Sequence, residues 1–260
     1  MNMTESLLKV VHETLAESGT IARHYFRQSL AVTAKRDLSP VTRADQEIEA
    51  AMRKVIHQRF PEHSVVGEEG EDQLGTDSYT WTLDPIDGTK SFISGLPLFG
   101  TLICVSREEQ FLIGAIDIPI LNERWIGVLG QGSTFNGTSC KASDVTDIGS
   151  ATLFSTEPNM FNTGQAERLK KLESAVRMRR YGGDCYSYGL LASGHIDLVV
   201  EASLHPYDWM PAVPIIQEAG GVITDWQGNA LHRNSEGSVI AAGTPELHSA
   251  ALVLLAGANQ

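Results

Sequence analysis

Cysteine is scarce in this chain, and what there is stands apart. Cys104, Cys140 and Cys185 are the only three in 260 residues, and no C-x-x-C pair occurs. A disulfide framework is therefore not expected, and a reducing, cytoplasmic setting is. Positive charge is also short: 20 Lys and Arg stand against 32 Asp and Glu, a formal net charge of −12. Neither a nucleic-acid backbone nor an anionic membrane suits such a chain as its main partner. Small anionic substrates stay open, because a bound divalent cation inverts the local field. No uninterrupted apolar run reaches membrane-spanning length. Met1-Asn2-Met3-Thr4-Glu5-Ser6 lacks a basic region followed by an apolar core, so no signal peptide is expected. The eight histidines are scattered without zinc-ligand spacing. Neither phosphate loop, G-x-x-x-x-G-K-[ST] or G-x-G-x-x-G, is present, which argues against a nucleotide-triphosphate enzyme. The G-x-S-x-G nucleophile elbow is missing too.

What the chain does have is an ordinary globular composition, 42% hydrophobic and 20% charged, and enough length for one large domain or two joined halves. Leu7, Val11, Leu15, Ile21, Ala22, Tyr25 and Phe26 recur at helical spacing and predict a long amphipathic helix over Thr4–Gln28. Leu38-Ser39-Pro40-Val41 breaks the pattern. A second helix is expected from Thr42, with Ile48, Met52, Val55 and Ile56 on one face and Thr42 and Asp45 as a capping box. Short β-favouring runs follow at Ser64–Val66, Phe99–Val105, Phe111–Ile118 and Arg124–Leu129, and Asn136-Gly137 is a hairpin turn signal. The unbroken hydrophobicity of Leu102-Ile103-Cys104-Val105 predicts a sheet covered on both faces, with the two helices on one of them. The polar stretch 144–149 divides residues 1–145 from 146–260. Beyond it, strands and helices alternate: helices over Gln165–Ser174, Cys185–Ser193, Asp208–Ala219 and Pro245–Ala256, strands over Ala151–Ser155, Val176–Tyr181, Ile196–Glu201, Val222–Thr224 and Ser238–Ala242. That alternation implies an α/β half with crossover connections.

The chemistry gathers at strand ends. Trp81-Thr82-Leu83 leads into Asp84-Pro85-Ile86-Asp87-Gly88-Thr89, where proline fixes one backbone angle and is expected to stop the strand. Two carboxylates on such a turn need a cation or a proton, and Gly88 lets the chain approach a ligand closely. N–H groups from Gly88 onward suit a phosphate if they open a helix. The plainer reading is a strand ending in an Asp-Gly turn. Gly67-Glu68-Glu69-Gly70-Glu71-Asp72 is either a solvated loop or a further source of ligands. Asp208, after His205-Pro206-Tyr207, fits a helix N-cap, and so does Asp184 after Gly182-Gly183. Glu201 ends an apolar strand and faces a crevice on the same logic. Carboxylates without a His or Cys cluster select hard ions such as Mg²⁺ or Mn²⁺, and Mg²⁺ beside an anion site points to phosphoryl chemistry.

Gly67-Glu68-Glu69, Asp84-Pro85-Ile86-Asp87-Gly88-Thr89 and Asp208-Trp209 with Glu218-Ala219-Gly220-Gly221 together resemble the inositol monophosphatase family, in order, from Asp45 to Gly221. The resemblance implies a layered αβαβα sandwich of α/β (α+β) class and Mg²⁺-dependent, Li⁺-sensitive hydrolysis of a small phosphate monoester by a cytoplasmic homodimer. It implies two or three Mg²⁺, with Mn²⁺ able to substitute. Glu68, Asp84 and the Ile86 carbonyl would hold the first ion, Asp84, Asp87 and Asp208 the second, and Glu68 a weaker third. Glu68 and a Thr89–Asp45 pair would orient and deprotonate the attacking water, with no phospho-enzyme, while Gly88 and Thr89 amides cradle the phosphate. Arg180 to Tyr186 and Glu201 to Asp208 look most like the histidinol-phosphatase branch. Asp184 and Glu201 would then meet the ammonium and imidazole of histidinol phosphate, with inositol monophosphate the alternative substrate. A non-catalytic relative that merely binds metal or phosphate is the reading from another class.

Overall fold

The computed structural model describes residues 2–28, 32–34 and 40–256. Helix α1 (Met3–Tyr25) opens with a capping box in which the Glu5 amide donates to Asn2 Oδ1 at 2.8 Å. It buries Leu7, Val11, Leu15 and Ala22, and it ends short of Gln28 because Phe26 leaves helical geometry and Arg27 takes φ +60°. Strands β1 (Val32–Ala34) and β2 (Pro40–Thr42) pair antiparallel; Leu38 and Ser39 of the expected break lie outside the described residues. Helix α2 (Arg43–Arg59) starts at the expected capping box, Thr42 capping Ala44 and Asp45 accepting the Thr42 amide at 2.8 Å.

A seven-stranded sheet follows in sequential order: β3 (Ser64–Gly67), β4 (Tyr79–Asp87), β5 (Gly100–Arg107), β6 (Gln110–Ile118), β7 (Glu123–Val128), β8 (Gly132–Phe135) and β9 (Thr138–Ser139). Only β3 and β4 run parallel. Asn136 and Gly137 both take positive φ and turn β8 into β9, as that dipeptide favours. Side chains alternate across β5: Leu102 and Cys104 face one core, Ile103 and Val105 the other, all fully buried. The second core is closed by α1 and α2 through Leu7, Val11, Ile48 and Met52.

The remaining elements are α3 (Thr89–Ile93), between β4 and β5, then β10 (Thr152–Ser155), α4 (Thr163–Ala175), β11 (Met178–Tyr181), α5 (Tyr186–Ala192), β12 (Leu198–Glu201), α6 (Pro206–Trp209), α7 (Ala212–Glu218), β13 (Val222–Asp225), β14 (Val239–Ala242) and α8 (Pro245–Leu255). The second sheet is ordered β11-β10-β12-β14-β13. The expected crossovers exist where β10 runs parallel to β11 and β12, but β14 is antiparallel to both neighbours, so the sheet is mixed. The single helix expected over Asp208–Ala219 is two, α6 and α7, separated by Met210 and Pro211.

Val199 and Ala241 share the first core with α5, α7 and the larger sheet, while Leu198, Val200 and Ile240 pack against α4 and α8. Five layers result: α1–α2, sheet, α5–α7, sheet, α4–α8. Glycine decides how tightly the central layer sits. A Cβ on Gly114 would fall 2.0 Å from the Pro211 carbonyl, and one on Gly127 2.5 Å from the Ile215 backbone. Helix α7 therefore lies directly on β6 and β7, and Val213, Ile215 and Ile216 are buried there, each contributing roughly 1.5–3 kcal/mol. This docking fixes α6 beside the end of β4.

Candidate metal and phosphate site

Strand β4 does not stop at Pro85. It runs on to Asp87, but Asp84 pairs with Leu102 and Asp87 with Gly100, so three steps on β4 match two on β5. This β-bulge corrects the expectation that proline would end the strand. Its consequence is chemical. Residues three apart on a regular strand point to opposite faces, and one extra residue brings Asp84 and Asp87 to the same side. The Thr101 hydroxyl pins the bulge by donating to the Pro85 carbonyl at 2.9 Å.

Asp208 joins them from the other half. Carboxylate oxygens of Asp84, Asp87 and Asp208 lie within 4.8 Å of one another, the one such grouping of acid, His or Cys ligands among the described residues. Asp208 is not the N-cap. His205 holds that position, and Asp208 at the third helical position accepts the His205 amide at 2.7 Å. Asp87 accepts the Cys185 amide at 2.5 Å, across the two halves. Glu68 follows β3 on a loop whose first amide bonds to the Leu83 carbonyl, and its carboxylate is close enough to Asp84 to raise that residue's pKa. Asp45 is buried and feels the charge of Glu68. Of the expected Thr89–Asp45 pair, the Thr89 hydroxyl donates to the Ile86 carbonyl at 3.1 Å, and Asp45 Oδ2 accepts the Thr42 hydroxyl at 2.6 Å.

The electrostatics ask for a cation. Burial and the neighbouring charges of Glu68, Asp87 and Asp208 push the Asp84 carboxyl well above its usual range. Asp87 rises for the same reasons, burial first, then Asp184 and Asp208. Burial also raises Asp45. Asp84 Oδ1 and Asp45 Oδ1 are buried with no hydrogen-bond partner among the described residues. Buried carboxylate oxygens left this way are costly unless an ion or a proton meets them. All side-chain donors are hard oxygens, so the set fits Mg²⁺ or Mn²⁺.

Gly88 sits where the site meets α3, with φ +80°, as N-cap of that helix. A Cβ there would lie 2.8 Å from Asp184 Oδ2, so both conformation and space require glycine. The first N–H groups of α3 have no intrahelical partner by geometry. Asp184, with φ +46°, does not cap α5; it accepts the Ser91 hydroxyl at 2.8 Å and so ties α3 to the second half. Beside the three clustered carboxylates is a cavity of about 90 Å³ lined by Thr156, Met160, Asp184, Cys185, Tyr188, Glu201 and Leu204, with Asp87 and Asp208. Glu201 is fully buried, and its oxygens accept the Thr156 hydroxyl and, at 2.8 Å, the Tyr188 hydroxyl. Burial lifts its pKa to about 7. Sequence reading missed Ser91, Thr156 and Tyr188. Thr156 follows directly on β10, a strand end like those that supply the acids, and that position is a usable signal; Tyr188 carries none.

The profile of the inositol monophosphatase family matches residues 3–258. This chain belongs to the inositol monophosphatase family. It is 43% identical over 244 residues to the bifunctional phosphatase IMPL2, chloroplastic, of Arabidopsis thaliana, covering 90% of this chain and 70% of that protein. It is 34% identical over 236 residues to a histidinol-phosphatase of Chlorobaculum parvum, covering 90% and 91%. An inositol monophosphatase from Zymomonas mobilis has the same fold, with TM-score 0.90, 39% identity, and 98% and 100% of the two chains covered. As an inositol monophosphatase family member with histidinol-phosphatases among its relatives, the chain is a phosphoric monoester hydrolase, and the expected layered sandwich is the fold observed. Among the described residues no helix is long and apolar enough to cross a membrane.

Proposed function

We propose that this enzyme hydrolyses L-histidinol phosphate to L-histidinol and phosphate, using Mg²⁺. One observation carries the substrate reading. The cavity next to the clustered carboxylates is walled by the acids Asp184 and Glu201, and no Lys or Arg lines it. A substrate whose far end carries an ammonium and an imidazole suits that wall, since the ammonium would meet one carboxylate and an imidazole N–H would donate to the other. Its volume of about 90 Å³ is several times what a water needs and admits a small head group.

In this reading Glu68, Asp84 and the Ile86 carbonyl would hold one Mg²⁺, Asp84, Asp87 and Asp208 would hold a second, and Glu68 would support a weaker third. When bound, the ions lower the pKa of the attacking water and neutralise charge on the phosphate. Glu68 orients that water, and Asp45 beside it takes up the proton, its own affinity for protons already raised by burial. Gly88 and Thr89 present the first amides of α3 to the phosphate. The Thr89 hydroxyl donates to the Ile86 carbonyl and so links the start of α3 to that ligand. A cytoplasmic homodimer completes the proposal.

Inositol 1-phosphate is the second reading, favoured by the 39% identical inositol monophosphatase and by the capacity of Asp184 and Glu201 to accept hydroxyls. Phosphate release from both esters at equal concentration, with Mg²⁺, separates them. A preference for histidinol phosphate is expected; a preference for inositol 1-phosphate overturns the assignment. The pH dependence is a second discriminator. A cationic head needs Glu201 ionised, and burial raises its pKa, so KM for histidinol phosphate should fall with rising pH as Glu201 ionises, while KM for inositol 1-phosphate should not.

A further inference from the structure

Glu49 lies on α2, outside the clustered carboxylates, and is 2% exposed. Both its oxygens are spent on the loop that carries Glu68. Oε2 accepts the Glu69 amide and Oε1 the Gly70 amide, each at 2.8 Å. Arg53, one turn further along α2 and also buried, donates from Nε to Glu49 Oε1 at 2.8 Å. Its other arms reach the Val65 carbonyl at 3.1 Å and the Gly70 carbonyl at 3.4 Å. The loop is thus gripped from just before Glu68 to just after it. Two glycines let it come so close. A Cβ on Gly67 would fall 2.6 Å from the Glu49 carboxyl carbon, and one on Gly70 2.9 Å from Oε1.

A buried ion pair is an expensive way to obtain stability alone, since well-packed apolar residues do as well or better. What this pair supplies is a rigid set of donors and acceptors that fixes a loop backbone to a helix. Asp45 lies in the first turn of the same helix, so one element holds both Asp45 and the frame of Glu68. We propose that Glu49, held by Arg53, is a positioning residue that sets Glu68 at the metal site. The proposal rests on reading Glu68 as a metal ligand.

The test is a double-mutant cycle read by Mn²⁺ binding in titration calorimetry, on wild type, Glu68→Gln, Glu49→Gln and the double variant. Losing a group that holds a metal ligand in place changes metal affinity by about 10–100-fold. Glu49→Gln should therefore weaken the Glu68-dependent Mn²⁺ site by about tenfold or more, and add no further loss in the Glu68→Gln background. Phosphate release should fall in kcat in parallel. If Glu49→Gln lowers the melting temperature but leaves Mn²⁺ affinity unchanged, or weakens it equally in both backgrounds, the proposal is overturned while Glu68 stays a ligand. If Glu68→Gln itself leaves Mn²⁺ binding intact, the ligand reading falls and this proposal with it. Should Glu49→Gln not fold, Arg53→Lys replaces it in the cycle. A smaller loss, again absent beside Glu68→Gln, supports the proposal, and an equal loss in both backgrounds overturns it.

Discussion

Replacing Glu201 with Gln removes one titrating group from the cavity wall and leaves its shape. Glu201 is buried on β12, and that burial takes its pKa from 4.5 to about 7. A folded-state pKa above the unfolded one means that the folded chain keeps a proton that the unfolded chain has released. Its contribution is fully present below about pH 4.5 and is lost as pH rises through about 7. The difference, 7 − 4.5 = 2.5 pKa units, corresponds to about 3 kcal/mol at roughly 1.36 kcal/mol per unit. Gln does not titrate, so the metal-free variant should escape that loss. It carries a deficit of about 1 kcal/mol, because its amide nitrogen donates and does not accept, so one of the Thr156 and Tyr188 hydroxyls loses its acceptor. Urea unfolding of both proteins in EDTA, between pH 5 and 8, gives the difference directly. The wild type should lose about 2.5 kcal/mol relative to the variant across that range, the rest having gone below pH 5. A difference that is flat with pH would mean that Glu201 is ionised throughout, and the burial argument would be wrong.

Other outcomes follow from the same geometry. Gly88→Ala forces a left-handed φ and a contact with Asp184, so it should cost about 1–3 kcal/mol by thermal melting and remove most activity. Asp184→Asn keeps a partner for Ser91 but removes the charge, and should raise KM for histidinol phosphate roughly tenfold or more, with inositol 1-phosphate nearly unaffected. An unchanged KM would remove Asp184 from substrate recognition. Mg²⁺ at about a hundred times its Kd should stabilise the protein by about 2.7 kcal/mol, seen as a rise in Tm of several degrees that EDTA reverses. No rise would speak against a site that is preformed in the folded chain.

The acids of the site were legible because their spacing is local: Asp84, Asp87 and Gly88 declare a turn that wants a cation, and Glu68 and Asp208 occupy matching ends. The cause of the geometry was not. Pro85 reads as a strand terminator, yet β4 absorbs it in a bulge, because the register with β5 can slip by one where the proline has no N–H to give. Asp208 reads as an N-cap, but only the structure shows His205 in that place. The alternation of the second half was visible, whereas the antiparallel β14 was not, since strand direction depends on connections that local pattern does not encode. Tyr188 meets Glu201 from 13 residues away and Glu49 meets Gly70 across 21, and nothing near them in sequence marks them; Thr156, 45 residues from Glu201, is marked only by its place at the end of β10. The expected pairing of Thr89 with Asp45 came from resemblance; here the Thr89 hydroxyl donates to Ile86 and Asp45 Oδ2 accepts from Thr42.

Asp84 is the residue on which the proposed centre turns, and Asp84→Asn tests it most directly. Burial and three neighbouring carboxylates raise its pKa, so removing its charge should leave the metal-free fold at least as stable as the wild type. In the same protein, phosphate release in Mg²⁺ should drop to background, and Mg²⁺ should no longer raise the melting temperature. Turnover near the wild-type rate, with the Mg²⁺-induced rise intact, would contradict the account.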